Sequence, residues 1–315
     1  MHQEFQLDEF ETNGIRVRAA VEGTGPLVVM IHGFPELWYS WRHQIKPVAA
    51  AGFRVVAPDV RGYGGSDKPH EVEAYDMETL MNDVLGLIDA FGEEKAVLIG
   101  HDWGAPICWN TAALHPERVS AVAGLSVPYR GRIDVPVIDL WRRIYRDRFF
   151  YQLYFQEEGV AEAELEADVR TSLRKFYYSI SGDAPSLDSW LLREPTKTLL
   201  EAFDDPDPFP GWLSETDIDY FIDNFEAGGF RGPLNRYRNQ ERDFHNLPEM
   251  GVKKVEQPSC LIAGSKDVVR FFVPNADGYK NLGDMYTDFR FSKIIDGAGH
   301  WVQQEAPQEV NEALL

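Results

Sequence analysis

Short apolar runs separated by amphipathic stretches leave the first 130 residues of this chain few ways to fold. "IRVRAAVEG" and "LVVMIHG" read as strands, "RVVAPD" follows the helix-like "YSWRHQIKPVAAAGF", and "AVLIG" follows "METLMNDVLGLIDAFG". The helical "GAPICWNTAALHPE" then leads into another strand, "VSAVAGLSV". A helix between two strands returns the chain to start the next strand in the same direction, so the alternation predicts a mostly parallel sheet with helices on both faces.

The alternation stops between residues 131 and 245, which are helical, aromatic and charged in composition and hold no strand-like run. This segment reads as an inserted helical lid. Within it, "VAEAELEADVRTSLRKFYYSIS" has the composition of a good helix, and the Pro- and Asp-rich "FDDPDPFPGW" should be a surface loop. Strands resume with "PSCLIAG" and "FRFSKIIDG", and "PQEVNEALL" opens a helix. No G-x-G-x-x-G follows a strand, and neither C-x-x-C nor H-E-x-x-H occurs, so no dinucleotide, metal or other cofactor is expected.

A formal charge of −20 sets the field of the whole molecule. That field would repel nucleic acid and an anionic membrane surface alike, and an uncharged small substrate suits it better. No run of eighteen apolar residues is present to span a membrane, and the start "MHQEFQLDEFETNG" lacks the basic and apolar regions of a leader. A cytoplasmic protein is expected. The two cysteines, Cys108 and Cys260, lie in apolar surroundings and read as reduced core residues.

Chemistry concentrates at Gly100-His101-Asp102-Trp103-Gly104, where "AVLIG" runs into a helix. Small residues on both flanks of a central side chain are what a nucleophile elbow needs, because the strained turn presents that side chain at the C-terminal edge of the sheet. Asp102 alone could equally cap the following helix. Two further residues shift the balance: Asp267 follows the strand "CLIAG" and His300 follows the last strand in "DGAGHW", giving the chain order nucleophile, acid, histidine. The other place for the acid, after "AVAGL", holds Ser126.

The motifs "HGFPELWYSWR", "RGYGGSDKP", "GHDWGAP", "YQLYFQE", "GFRGPLNRYRN" and "GHWVQQEAP" resemble the soluble epoxide hydrolases of the α/β-hydrolase superfamily, across nearly the whole chain. The resemblance implies an α/β-hydrolase fold, a mostly parallel eight-stranded sheet flanked by helices, with core residues 1–130 and 246–315 and an all-helical cap at 131–245. It implies water and a small apolar epoxide as partners, and leaves a homodimer open.

An aspartate suits that reaction. Attack at a saturated carbon by serine would leave an ether, whereas a carboxylate leaves an ester that water can cleave; a carboxylate of ordinary pKa, about 3.9, needs no base to ionise it at neutral pH. His300, oriented by Asp267, is then free to take a proton from the water that hydrolyses the ester. By resemblance, the backbone N–H groups of Phe34 and Trp103 stabilise the oxyanion, Pro35 carries a cis bond, and Tyr151 and Tyr237 in the lid donate to the opening epoxide oxygen. Tyr154 is the second choice for the Tyr151 role. Glu36 and His101 are candidates for holding the hydrolytic water. Phe34, Trp103, Tyr154 and Trp301 are pocket candidates. Trp38, Trp41 and Trp109 read more simply as pocket lining or core, and His32 as a brace for its own loop.

A haloalkane dehalogenase would share the aspartate elbow, the triad and the Trp103 donor. Its second halide donor is an Asn or a lid Trp, where this chain has Phe34 and tyrosines. A fluoroacetate dehalogenase would carry Arg after the nucleophile. A non-catalytic receptor on this fold would lack a triad member, and none is missing.

Overall fold

A computed structural model describes residues 5–195 and 198–315, so the first four residues of the chain start discussed above lie outside the described residues. Eight strands form one sheet: β1 (Gln6–Thr12), β2 (Ile15–Glu22), β3 (Leu27–Ile31), β4 (Arg54–Pro58), β5 (Ala96–His101), β6 (Val119–Leu125), β7 (Val255–Gly264) and β8 (Tyr286–Ile295). Their order is β1-β2-β4-β3-β5-β6-β7-β8. Only the pairs β1/β2 and β2/β4 are antiparallel.

β1 is the strand that the apolar runs did not reveal. At the sheet edge it turns Asp8, Phe10 and Thr12 toward the more buried side and leaves Leu7, Glu9 and Glu11 exposed, as a strand solvated on one side does. It joins β2 through Asn13-Gly14, both at positive φ (44° and 75°), the backbone that a two-residue hairpin turn requires.

The sheet's alternation divides the core in two. Val28 and Met30 of β3 face one apolar cluster, with Ile45 and Val48 of α1 (Arg42–Ala50) and Val310 of α13 (Pro307–Leu314). Leu27, Val29 and Ile31 face the other, with α2 (Met77–Ala90) and α3 (Gly104–Leu114). Trp38, Trp41 and Trp109 are wholly buried in these clusters. Asp76 caps α2, accepting from the Thr79 N–H at 2.9 Å.

Between β6 and β7 the chain inserts α4 (Val137–Ile144), α5 (Tyr151–Tyr154), α6 (Val160–Ala167), α7 (Val169–Ser179), α8 (Asp188–Leu191), α9 (Glu215–Gly228), α10 (Arg231–Arg238) and α11 (Gln240–Asn246). The stretch expected as one helix is two. Asp168 adopts an extended backbone (φ −152°, ψ 91°) and caps α7 by accepting from the N–H and Oγ1 of Thr171, a local bond that competes with continuing the helix. Residues 203–212, "FDDPDPFPGW", form no helix or strand, as expected. Polar contacts tie the insert to the sheet domain: the Tyr39 hydroxyl donates to Asp217 at 2.7 Å and Arg42 pairs with the same carboxylate at 3.4 Å. Among the described residues, no helix is long and apolar enough to cross a membrane and no group of His, Cys, Asp and Glu is arranged to hold a metal. Cys108 is buried and Cys260 half-buried, both as free thiols.

Candidate active site

β5 ends at His101 and α3 starts at Gly104, so Asp102 and Trp103 alone make the turn. Asp102 has φ +49°, a left-handed backbone costing a non-glycine residue about 1–2 kcal/mol. Its neighbours explain how the strain is held. A Cβ on Gly100 would lie 2.2 Å from the Gly104 carbonyl oxygen, and one on Gly104 would lie 2.0 Å from that of Ile31. Only glycine fits at either flank. A Cβ on Gly33 would lie 2.3 Å from the Asp102 Cβ, so the loop after β3 closes directly over the aspartate.

Helix capping does not account for Asp102, because α3 has no side-chain cap. Its Oδ1 accepts instead from the Phe34 N–H at 2.8 Å. The Phe34–Pro35 peptide is cis, as the resemblance implied. Trp103 precedes the first turn of α3, where helix geometry leaves N–H groups without an intrahelical carbonyl. His32 braces this loop: Val60 N–H donates to its Nε2 at 2.9 Å, which leaves Nδ1 to donate to the Gly33 carbonyl at 2.9 Å.

Asp267 follows β7, opens the short turn Val268–Phe271 and accepts from the Val269 N–H at 3.0 Å. The same oxygen lies 3.0 Å from His300 Nδ1, and His300 Nε2 lies 3.4 Å from Asp102 Oδ2. The imidazole thus sits between two carboxylates. Burial disfavours its charged form, but the charges of Asp267 and Asp102 outweigh that and hold it protonated up to about 10. Burial likewise pushes the Asp267 carboxyl up, and the His300 charge overrides it, leaving the group below its ordinary value. Ser126, where an acid could have stood, has φ +67° and donates to the His300 carbonyl at 3.0 Å. The Tyr279 hydroxyl donates to the Ser126 carbonyl at 2.7 Å, a buttress that no sequence pattern announced.

Glu36 and His101 lie side by side, both fully buried. His101 Nδ1 is 2.6 Å from Glu36 Oε2, and its Nε2 is 2.8 Å from the His300 carbonyl, so both ring nitrogens face acceptors. Glu36 also accepts from the Gly33 N–H at 2.9 Å and from Gln303 and Gln304 at 2.9 and 3.4 Å. Burial pushes its carboxyl up, but the neighbouring His101 overrides this and brings it to about 2. The pair, expected to hold the hydrolytic water, also ties the loop over Asp102 to the segment carrying His300.

Tyr151 opens α5 and Tyr237 lies in α10, and their ring centroids are 5.7 Å apart. Tyr237 packs edge-on to Phe34 at 5.4 Å and to Trp103 at 5.2 Å. Burial, with the nearby Asp102 charge adding to it, pushes both phenols well above their ordinary value and keeps them as O–H donors. The Tyr151 oxygen accepts from Gln152 at 2.9 Å.

The Tyr154 hydroxyl is engaged elsewhere, donating to Glu164 on α6 at 2.8 Å. Phe155 takes the expected place, its ring centroid 5.5 Å from Tyr151 and 5.0 Å from Tyr237. Trp301 is wholly buried beside His300, packs on Tyr177 at 4.5 Å and donates from Nε1 to the Tyr177 carbonyl at 2.7 Å. Its ring meets that of His300 edge-on at 4.9 Å.

Residues 26–307 match the family model described as alpha/beta hydrolase fold. The chain is 43% identical to Epoxide hydrolase A of Mycobacterium tuberculosis, over 97% of this chain and 94% of that protein. Among solved structures it is similar to Epoxide Hydrolase A from Mycobacterium thermoresistibile, at 42% identity and a TM-score of 0.92 over 98% of this chain and 97% of that one. It is also similar to an epoxide hydrolase from an endophytic Streptomyces, at 41% identity and a TM-score of 0.93 over 98% and 94% of the two chains. Coverage of this kind, together with an aspartate at the elbow and two buried tyrosines above it, makes the chain a member of the epoxide hydrolase family within the α/β-hydrolase fold.

Proposed function

We propose that the protein hydrolyses a small apolar epoxide to a vicinal diol through a covalent ester on Asp102. One observation carries this reading: Asp102 Oδ1 rests on the Phe34 N–H while Oδ2 lies 3.4 Å from His300, beneath two buried phenols. Oδ2 attacks one carbon of the ring, the C–O bond to that carbon breaks, and Tyr151 and Tyr237 donate hydrogen bonds and then a proton to the oxygen that remains on the substrate. The aromatic surroundings, including Phe34, Phe155 and Trp103, suit an apolar substrate.

Ester formation removes the Asp102 charge, and with it one of the two carboxylates that keep His300 protonated. The His300 proton then passes to the phenolate left by ring opening, and the neutral ring takes a proton from water as the water attacks the ester carbonyl, so that the cycle ends with His300 protonated and the phenol restored. Oδ1, now that carbonyl oxygen, already lies on the Phe34 N–H, and the Trp103 N–H is the second donor in this reading. Collapse regenerates Asp102 and releases the diol.

Single turnover of styrene oxide in ¹⁸O-labelled water tests the sequence of bonds. The first diol should carry unlabelled oxygen from Asp102, with the label appearing in the protein. A His300→Gln variant should accumulate a substrate adduct on Asp102 detectable by mass spectrometry. Label entering the first diol directly would refute the ester. Halide release from a haloalkane, with no diol from any epoxide in a broad panel, would mark a dehalogenase. Tight epoxide binding with no turnover would mark a receptor.

A further inference from the structure

Glu305, the last residue of α12 (Val302–Glu305), keeps part of its side chain at the surface but turns its carboxylate inward onto three backbone N–H groups. Oε2 accepts from Gly299 at 2.9 Å and from Gly182, in the segment after α7, at 2.7 Å; Oε1 accepts from Trp301 at 2.9 Å. Gly299 and Trp301 are the residues on either side of His300. The His300 N–H itself donates to the Ile180 carbonyl at 2.8 Å, so three consecutive amides of the base loop are held, two by Glu305 and one by the insert. Lys266 Nζ donates to the Gly182 carbonyl at 2.6 Å, fixing the insert's end of this junction.

We propose that Glu305 is a positioning residue for His300, its carboxylate holding the base in register with the ester on Asp102 and coupling that register to residues 180–182 of the insert. The proposal rests on the two-step reading given above. It does not give Glu305 contact with substrate; Glu305 acts through the peptide groups on both sides of the base.

The chemistry of the carboxylate gives the proposal a signature. Burial pushes Glu305 up to about 7, against the pull of the Gly299, Gly182 and Trp301 N–H groups. The charged groups facing it are Asp267, which opposes its ionisation, Lys266 beside it, and His300, with the His101–Glu36 pair beyond Trp301. An ionised carboxylate accepts all three bonds, whereas a protonated one spends one oxygen on its own O–H and turns a donor toward a donor. Loosening of the base loop should therefore begin below neutral pH, and it should affect only the step that uses His300.

Single-turnover kinetics with an aryl epoxide separate the two steps in wild type, Glu305→Gln and Glu305→Asp. In Glu305→Gln, alkylation of Asp102 should stay within about twofold of wild type while ester hydrolysis slows roughly 10- to 100-fold and adduct accumulates, the size expected when a reacting group is displaced by about 1 Å. The ionisation near pH 7 should disappear from its ester-hydrolysis profile, leaving that of His300. Glu305→Asp, which keeps the charge but shortens the arm, should recover part of the hydrolysis rate. Equal slowing of both steps, or a lower melting temperature with unchanged ester hydrolysis, would overturn the proposal. If Glu305→Gln does not fold, Glu305→Asp decides alone: a slowed hydrolysis step with intact alkylation supports the proposal, and unchanged steps overturn it. Failure of the two-step reading would look different, because then neither wild type nor His300→Gln would form an adduct.

Discussion

Replacing Asp102 by Asn imitates the charge change of alkylation without any substrate, and it should lower the pKa of His300 sharply. His300 Nε2 lies 3.4 Å from Asp102 Oδ2. Two unit charges at that separation attract by about 5 kcal/mol at an effective dielectric constant of about 20, equivalent to about three and a half pH units. From its resting value of about 10, the imidazole should fall to about 6 or 7 in Asp102→Asn. The sign follows from which charge is lost: removing an anion destabilises the imidazolium, so the ring releases its proton at lower pH. Nitrogen-15 NMR of histidine-labelled protein measures this directly, with His300→Gln assigning the resonance among the eight histidines. The kinetic counterpart is an ester-hydrolysis rate in wild type that rises with a midpoint near the value found for Asp102→Asn. If His300 still titrates above about pH 9 in Asp102→Asn, the Asp102 charge is not what holds it protonated, and the idea that alkylation switches on the base is wrong.

Because the folded-state value of His300 lies above the ordinary 6.5, its contribution to stability is complete below about pH 6.5 and is lost as the pH rises through about 10. Chemical denaturation of wild type should weaken over that window by on the order of a few kcal/mol, and His300→Gln should show a smaller slope. Tyr151→Phe and Tyr237→Phe should each slow alkylation roughly 100-fold, and the double variant should nearly stop it, as read from the rate of adduct formation under single turnover. Gly33→Ala should put a methyl group 2.3 Å from the Asp102 Cβ and lower kcat about 100-fold or more by displacing the nucleophile; wild-type alkylation by this variant would show that the loop yields freely.

The triad was legible in the sequence because each member follows a strand, and a strand's end is visible as an apolar run meeting glycine. Gly100 and Gly104 also carried their own reason, since neither site has room for a Cβ. The edge strand Gln6–Thr12 forms no apolar run, because Asp8, Glu9 and Glu11 break it up, although the Asn13-Gly14 pair after it is a hairpin signal. Side-chain direction was the least legible property. Tyr151 and Tyr154 are three residues apart on one short turn, yet one faces the elbow's side of the insert and the other bonds to Glu164, a choice made by partners distant in sequence. The roles of Ser126 and Glu305 were hidden for the same reason: each contacts the base loop through backbone groups, which leave no residue-type signature. "GHWVQQEAP" did display an acid five positions after the histidine, but nothing in it says that three N–H groups meet there.

In the proposed mechanism the insert takes part in the chemistry as well as covering the site. Its helix α7 ends where both working loops are. The Tyr177 hydroxyl donates to the Pro35 carbonyl at 3.1 Å in the loop over Asp102, and the Tyr177 carbonyl accepts from Trp301 beside the base. Phe176, one residue earlier, packs edge-on to Phe34 at 5.4 Å. Three residues after Tyr177, the Ile180 carbonyl takes the His300 N–H. Within five residues, then, one helix end holds the loop that carries the Asp102 donor, the peptide N–H of His300 and a wall of the aromatic enclosure. A sheet edge alone would leave these loops to set their own positions, and each would be free by the ångström or so that costs about 100-fold in rate. The proposed mechanism therefore couples stability to reactivity here: contacts that hold the insert down are the same contacts that hold the loop over Asp102 and the loop of His300 in register with each other.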